Sequence, residues 1–269
     1  MATVHSTAIL GKNVQLDGDV VIGPYCVVGD NVSIGAGTIL YSHVVIANGV
    51  RIGQGNHLYP NCAIGCCPQV LGLTPNAALG GLVIGDRSMI RENVTIHPSR
   101  HEGGATLIGS DVLMMVGSHV GHDCAVGDRV VLSNYVQIAG HVQIGTGAWF
   151  AGMAGAHQFV TVGRWSFIAG LAGITHDVPP FLIASGHYPQ KVRGVNKRGL
   201  LRAGLNGEQQ AQIYEAYRTL YRRGSTLLAN ARELAEQDGL DENVRDMIGS
   251  IVNTHRHRFG RYRESLRTE

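Results

Sequence analysis

The sequence predicts an all-β solenoid of hexapeptide repeats followed by a C-terminal α-helical domain. Three observations carry that expectation. Apolar residues recur at every sixth position, at Met114, Val120, Val126, Leu132, Ile138, Ile144, Phe150 and Ala156. Four places after each stands a compact residue, at Ser118, Cys124, Val130, Val136, Val142, Ala148, Ala154 and Val160. Glycine is abundant, at 37 of 269 residues, and charged residues are only 16%, which suits many tight turns and close contacts between coils. A period of six fits neither the helix period of 3.6 nor strand alternation, and belongs to the repeats that build parallel β-helices.

Three hexads make one coil with three short flat walls, the apolar and the small residue both pointing inward. A large side chain at the small position would overfill a narrow core. Successive coils stack like neighbouring strands, roughly 4.8 Å apart. Residues 18 apart therefore lie one above another: His122, Gly140, Gln158 and His176; Gly121, Ala139 and His157; Asp123 and His141. Several imidazoles with an adjacent carboxylate on one strip read as an active site rather than a solvated polar ladder.

The repeat begins at Val4 and runs through Leu10, Leu16, Ile22, Val28, Ile34, Leu40, Ile46, Ile52 and Leu58 to Ile64. Two interruptions follow, loops at residues 66–83, with Pro68 and Pro75, and at 98–107. A long loop leaving a compact repeat is more often functional than idle. The pattern then runs unbroken from Ile108 to Ile174, and Asp177-Val178-Pro179-Pro180 stops it, since proline cannot donate to a ladder. The solenoid is assigned to residues 1–185, the linker and helical domain to 186–269.

In the second part, Ile213, Tyr214, Tyr217, Leu220 and Tyr221 have helical spacing, Ser225 is placed to cap a second helix through Ala235, and Asp241 a third carrying Val244, Met247, Ile248 and Ile251. The arginine-rich tail from His255 to Arg267 reads as a solvated helix end. The five cysteines are odd in number and scattered, so no disulfide framework is expected, and Cys26, Cys62 and Cys124 fill small inward positions. No apolar run is long enough to span a membrane and no signal-peptide pattern opens the chain, so a cytoplasmic protein is expected. A net charge of +2 gives no footprint for nucleic acid.

The segments Gly85-Asp86-Arg87, Ile90-Arg91-Glu92, Val94-Thr95-Ile96-His97, Gly121-His122-Asp123-Cys124, Ala139-Gly140-His141-Val142, His157-Gln158-Phe159, Asp177-Val178-Pro179-Pro180 and Gly194-Val195-Asn196 add a specific likeness. With them, nearly the whole chain resembles the acyl-carrier-protein-dependent UDP-N-acetylglucosamine O-acyltransferases, which open lipid A biosynthesis. The resemblance implies a left-handed parallel β-helix, an exception to the usual right-handed crossover, and a homotrimer with active sites between subunits. It implies transfer of an (R)-3-hydroxyacyl chain from acyl carrier protein to the 3-hydroxyl of UDP-N-acetylglucosamine. No cofactor or metal is implied beyond the donor's phosphopantetheine arm.

By the same likeness His122 is the general base, Asp123 sets its tautomer, and the Gly140 N–H stabilises the oxyanion. His119, His141, His157 and Gln158 are implied substrate contacts, and Gln69, His97, Asn196 and Arg202 match acceptor- or donor-binding positions. Gly170 stands where related enzymes place a larger residue that closes the acyl groove. The chemistry agrees: a sugar hydroxyl attacking a thioester must shed a proton, and a positioned imidazole contributes about 10²–10⁴-fold.

The chain departs from the family in two loops. Val70-Leu71-Gly72-Leu73 stand where the family has Asp-Leu-Lys-Tyr, and His97-Pro98-Ser99-Arg100 where it has His-Arg-Gly-Thr. Arg100 is a replacement cation for the lost lysine, because a planar guanidinium suits phosphate. The departures leave room for a paralogue that acts on another nucleotide amino-sugar or binds one without catalysis. A zinc hydratase resembling the γ-type carbonic anhydrases, with His97, His119 and His122 as ligands, is the remaining alternative. It leaves the acyltransferase segments and the helical tail unexplained.

Overall fold

The computed structural model describes residues 1–74, 77–257 and 259–266; Pro75 of the first loop and Arg258 and Arg267 of the tail lie outside the described residues. Two-residue strands alternate with tight corners, and three parallel sheets form the walls of a β-solenoid. The 18-residue stacking is realised directly: His119 pairs with Gln137, Gln137 with Gly155, and Gly155 with Gly173. Ala63 pairs with Thr95 and Thr95 with His119, so both interruptions loop out between stacked strands without shifting the ladder.

Both inward positions are filled as the hexad pattern requires. Leu58, Ile90, Val120, Ile138, Val142, Phe150 and Val160 have no solvent exposure, and they belong to one continuous core. Cys62 and Cys124 lie in it, and burial pushes both thiols up to about 12, which leaves them inert. The corners are sharp enough to force left-handed backbone on residues with side chains, Asp123 (φ 60°) and His141 (φ 64°) among them. Such conformations are uncommon outside glycine and persist where the surrounding ladder over-determines them.

The sheet continues past residue 185. After Leu182–Ser185 the chain reverses at Gly186 (φ 89°) and Lys191–Val195 adds an antiparallel strand to the same wall. Four helices follow: α1 (Lys197–Arg202), α2 (Gly207–Arg222), α3 (Leu227–Ala235) and α4 (Glu242–Thr254). Asn206 and Gln209 form a reciprocal capping box at α2, and Asp241 caps α4 as expected. The α3 cap is Thr226 rather than Ser225; its hydroxyl accepts from the Ala229 N–H, three residues on, which the adjacent serine is one position too early to do. The helices bury Leu200, Ile213, Leu220, Met247 and Ile251 against Trp165, Phe181 and Leu182 of the last coils.

The tail corrects the sequence reading. Rather than a solvated helix end, it folds back on the solenoid: Arg261 is only 8% exposed, pairs with Glu264 at 2.9 Å and donates to the Thr175 carbonyl at 2.8 Å. Arginine density alone does not distinguish a solvated end from a docked one, because the acceptors lie some 85 residues away in the chain.

Candidate active site

His122 and Asp123 occupy the corner that follows strand His119–Val120. His122 is 8% exposed, and its Nδ1 lies 2.7 Å from Oδ2 of Asp123. A carboxylate can only accept, so Nδ1 carries the proton and Nε2 is left with its lone pair. Asp123 is fixed from three sides. Its N–H donates to the Thr106 hydroxyl at 2.8 Å, and its carboxylate accepts a short hydrogen bond from Ser99 Oγ and another from the Arg100 N–H at 3.3 Å. Burial would raise this carboxyl, but the hydrogen bonds from His122 and Ser99 outweigh it and bring it down to about 2. It is therefore ionised throughout the physiological range.

One coil on, Gly140 and His141 repeat the corner. A Cβ built on Gly140 would stand 2.6 Å from Cε1 and Nε2 of His122, so only glycine admits the imidazole there. In the first coils of the same corner column, each corner amide is capped by the side chain one coil above: Lys12 N–H by Asp30, Asp30 N–H by Asn48. Gln158 stands at that place above Gly140, and among the described residues the Gly140 N–H has no acceptor. It is a donor held in place and free to serve a ligand. The His141 ring lies 5.0 Å from that of His122 at 88°, stacks on Phe159 at 4.5 Å, and is pushed down to about 4, chiefly by burial. It is neutral at pH 7.

These residues open on a cavity of about 640 Å³ that also takes in Gln69, Val70, Arg100, Gln158 and Arg263. The sequence-expected residues Gln69, Arg100, His122, Asp123, His141 and Gln158 thus come together. His119 and His157 do not join them; they line a second hollow of about 390 Å³ on the neighbouring wall, with Gln137 and Tyr188. His119, bonded to Thr95 Oγ1 at 2.8 Å, is pushed down to about 4 by burial and by the nearby His97. His97 is buried, its Nδ1 2.8 Å from the Cys66 carbonyl oxygen, while its Nε2 has no partner among the described residues.

The other three lie off the cavity. Gly170 is an exposed corner residue. Asn196 is buried at the start of α1, where its Nδ2–H donates to the Trp165 carbonyl at 2.7 Å. Arg202 stacks over Trp149 at 4.4 Å. Within one chain, therefore, the resemblance-derived set divides between a catalytic corner and outer faces of the solenoid.

Sequence reading missed Ser99, Thr106, Phe159 and Arg263. Ser99 sits in the second loop and Thr106 in the strand Ala105–Ile108, which begins inside the stretch assigned to that loop; the insertion hides their register with Asp123, whereas Phe159 follows His141 by 18 and was within reach of the stacking rule. The histidine trio His97, His119 and His122 is not what converges. Among the described residues the one group of three metal-type ligands is His101, Asp123 and His141, and its carboxylate already takes donors from His122, Ser99 and Arg100.

Comparison with known proteins gives the family. Residues 177–259 match the family described as UDP N-acetylglucosamine O-acyltransferase, domain 2, and residues 7–42 the bacterial transferase hexapeptide family. The chain is 43% identical over 261 residues to the acyl-[acyl-carrier-protein]–UDP-N-acetylglucosamine O-acyltransferase of Paraburkholderia phymatum, covering 95% of this chain and 98% of that one. Among solved structures, the Francisella novicida UDP-N-acetylglucosamine acyltransferase superposes with a TM-score of 0.88 at 35% identity, covering 93% and 91% of the two chains. The Moraxella catarrhalis UDP-N-acetylglucosamine O-acyltransferase gives 0.85 at 38% identity, covering 91% and 95%.

Proposed function

The chain belongs to the UDP-N-acetylglucosamine O-acyltransferase family, and from that premise we propose that it moves an (R)-3-hydroxyacyl chain from acyl carrier protein to the 3-hydroxyl of UDP-N-acetylglucosamine, the first step of lipid A biosynthesis. The observation that carries the reading at the level of residues is the His122–Asp123 pair at 2.7 Å beside the uncapped Gly140 N–H. In this reaction Nε2 of His122 takes the proton of the sugar hydroxyl as its oxygen attacks the thioester carbonyl carbon. The Gly140 N–H donates to the resulting oxyanion, a contribution of about 10²–10³-fold for a preset donor. Collapse of the tetrahedral intermediate breaks the C–S bond, and the His122 imidazolium returns its proton to the departing thiolate. Asp123, ionised and anchored, stabilises the imidazolium between the two steps. The acceptor attacks directly, so no protein nucleophile enters.

Val70 faces the cavity where the family carries a carboxylate, and Arg100 faces it too. Arg100 takes over part of the phosphate contact of the missing lysine. The deciding experiment is a panel of UDP-sugars incubated with 3-hydroxyacyl carrier protein, on wild type and Arg100→Ala. UDP-N-acetylglucosamine is the expected best acceptor, with its KM raised in the variant. Preference for another UDP-amino-sugar would favour the altered-acceptor reading, and no acylation of any UDP-sugar would overturn the function.

The working form is a homotrimer. Tyr135, Met153 and Leu171 stack at one corner, 53%, 61% and 73% exposed, an apolar column beside the hollow of His119 and His157. A neighbouring subunit covers that column and brings Arg202 to a shared cleft. An active monomer in light scattering would remove this part of the reading. No helix among the described residues is long and apolar enough to cross a membrane, and a carrier-protein-bound donor places the reaction in the cytoplasm.

A further inference from the structure

The C-terminal segment is docked on the solenoid at a cluster of buried polar contacts. The Asp177 N–H donates to the Gly260 carbonyl at 2.8 Å, and the Tyr262 N–H donates to Asp177 Oδ2 at 3.1 Å. The other Asp177 oxygen accepts from the Thr161 N–H at 2.7 Å, so one buried carboxylate ties the tail to the coil below. Gly260 adopts φ 62° with the His176 ring against its Cα, a place a Cβ would fill. The Arg261–Glu264 pair, with both side chains about one-tenth exposed, locks the next turn.

What this anchoring delivers is Arg263. It reaches into the His122 cavity, where its Nη1 donates to the His141 carbonyl at 3.2 Å. Neither Arg263 nor Arg100 forms an ion pair with a described residue, although both line the same cavity. Asp123, the one carboxylate among the described residues that line it, is already engaged by His122, Ser99 and the Arg100 N–H. Two guanidinium groups with no ion pair to a described carboxylate, one anchored from behind, make a cavity whose field favours an anion.

We propose that Arg263 is a phosphate-binding residue of the acyl-acceptor site, gripping the diphosphate of the nucleotide sugar together with Arg100, and that the C-terminal segment is part of that site. The proposal rests on the acyltransferase reading and deepens it by naming a contact outside the repeat.

The test pairs kinetics with direct binding. For Arg263→Ala, loss of a charge-assisted contact is expected to raise KM for UDP-N-acetylglucosamine about ten- to a hundredfold with kcat changed far less, and Arg263→Lys recovers part of it. Calorimetry with UDP should show the same weakening, while uridine, which lacks phosphate, binds both proteins alike. An unchanged KM and an unchanged UDP affinity would overturn the proposal. A rise confined to the KM for acyl carrier protein would also overturn it, assigning Arg263 to the phosphate of the donor's arm. Should wild type acylate no UDP-sugar, the function fails while the calorimetric arm still decides whether Arg263 binds the diphosphate. The Arg263 side chain is only half-buried, and an unchanged melting temperature verifies that each variant is folded.

Discussion

Nδ1 of His122 and Oδ2 of Asp123 stand 2.7 Å apart at a single corner of the solenoid, on consecutive residues. Here the left-handed backbone of Asp123 (φ 60°) turns its carboxylate back toward the ring.

That relationship makes Asp123→Asn informative. The amide still fills the site, but its NH₂ can donate to Nδ1 and so favour the tautomer that places the proton on Nε2. Activity should fall about 10²–10⁴-fold, the range a positioned general base contributes. His122→Ala should lose as much, and the double variant little more, because the two act as one unit. Additive losses in the double variant would separate their roles.

Gly140 gives a second prediction. Alanine there places a Cβ 2.6 Å from His122 Nε2 and Cε1, so the imidazole must shift while the core behind it is untouched. Turnover should drop by about 10²-fold or more, since both the base and the oxyanion donor are disturbed, and the melting temperature should move little. A Gly140→Ala enzyme with wild-type kcat would show that neither group works at that corner.

The solenoid was legible because one physical constraint, filling a narrow triangular core, recurs in every hexad from Ile22 to Ile174. The strip was legible for the same reason: once residues 18 apart must stack, His122, Gly140 and Gln158 have no freedom to separate. Ser99 escaped because the second loop breaks the count, and its contact with Asp123 spans 24 residues. Arg263 escaped for a stronger reason. Its position depends on Asp177, Thr175 and His176 accepting a segment more than 80 residues later, and no local pattern encodes that. The division of His119 and His157 from His122 was equally hidden, since the stacking rule gives height along the solenoid but not which side of a corner a ring faces.

Acid sensitivity follows from two histidines that burial depresses strongly. His119 and His141 lie near 4 in the folded protein, chiefly through burial, against an ordinary 6.5. As pH falls between those values the unfolded chain binds protons that the folded chain refuses, so stability is lost from about 6.5 downward. Asp177 acts oppositely: burial raises it to about 6, so its contribution is present at low pH and fades as pH rises through 6. The melting temperature of wild type should decline from pH 7 to pH 5. His141→Gln should flatten that decline, whereas Asp177→Asn should steepen it. Parallel curves for all three proteins would show that these groups titrate alike in both states.

The acyl chain provides the last prediction. Gly152 and Gly170 stack at one corner, and a Cβ on either would meet only a neighbouring coil's backbone or Cβ at 3.4 Å or more, so this corner of the outer surface carries almost no side chains. Bare backbone beside the exposed Met153 and Leu171 is a surface along which a long hydrocarbon can lie. At Gly170 an added Cβ would meet only the Gly152 carbonyl oxygen at 3.4 Å and the Ala151 Cβ at 4.0 Å, ordinary contacts that the fold tolerates. Gly170→Met should therefore fold normally and place a bulky thioether across that surface. Each methylene that can no longer be buried costs about 0.8 kcal/mol, close to fourfold in kcat/KM. Competition between 3-hydroxyacyl carrier proteins of different chain lengths should then shift toward the shorter donor in the variant. The same preference in both enzymes would mean that the acyl chain runs elsewhere and that Gly170 is only a corner.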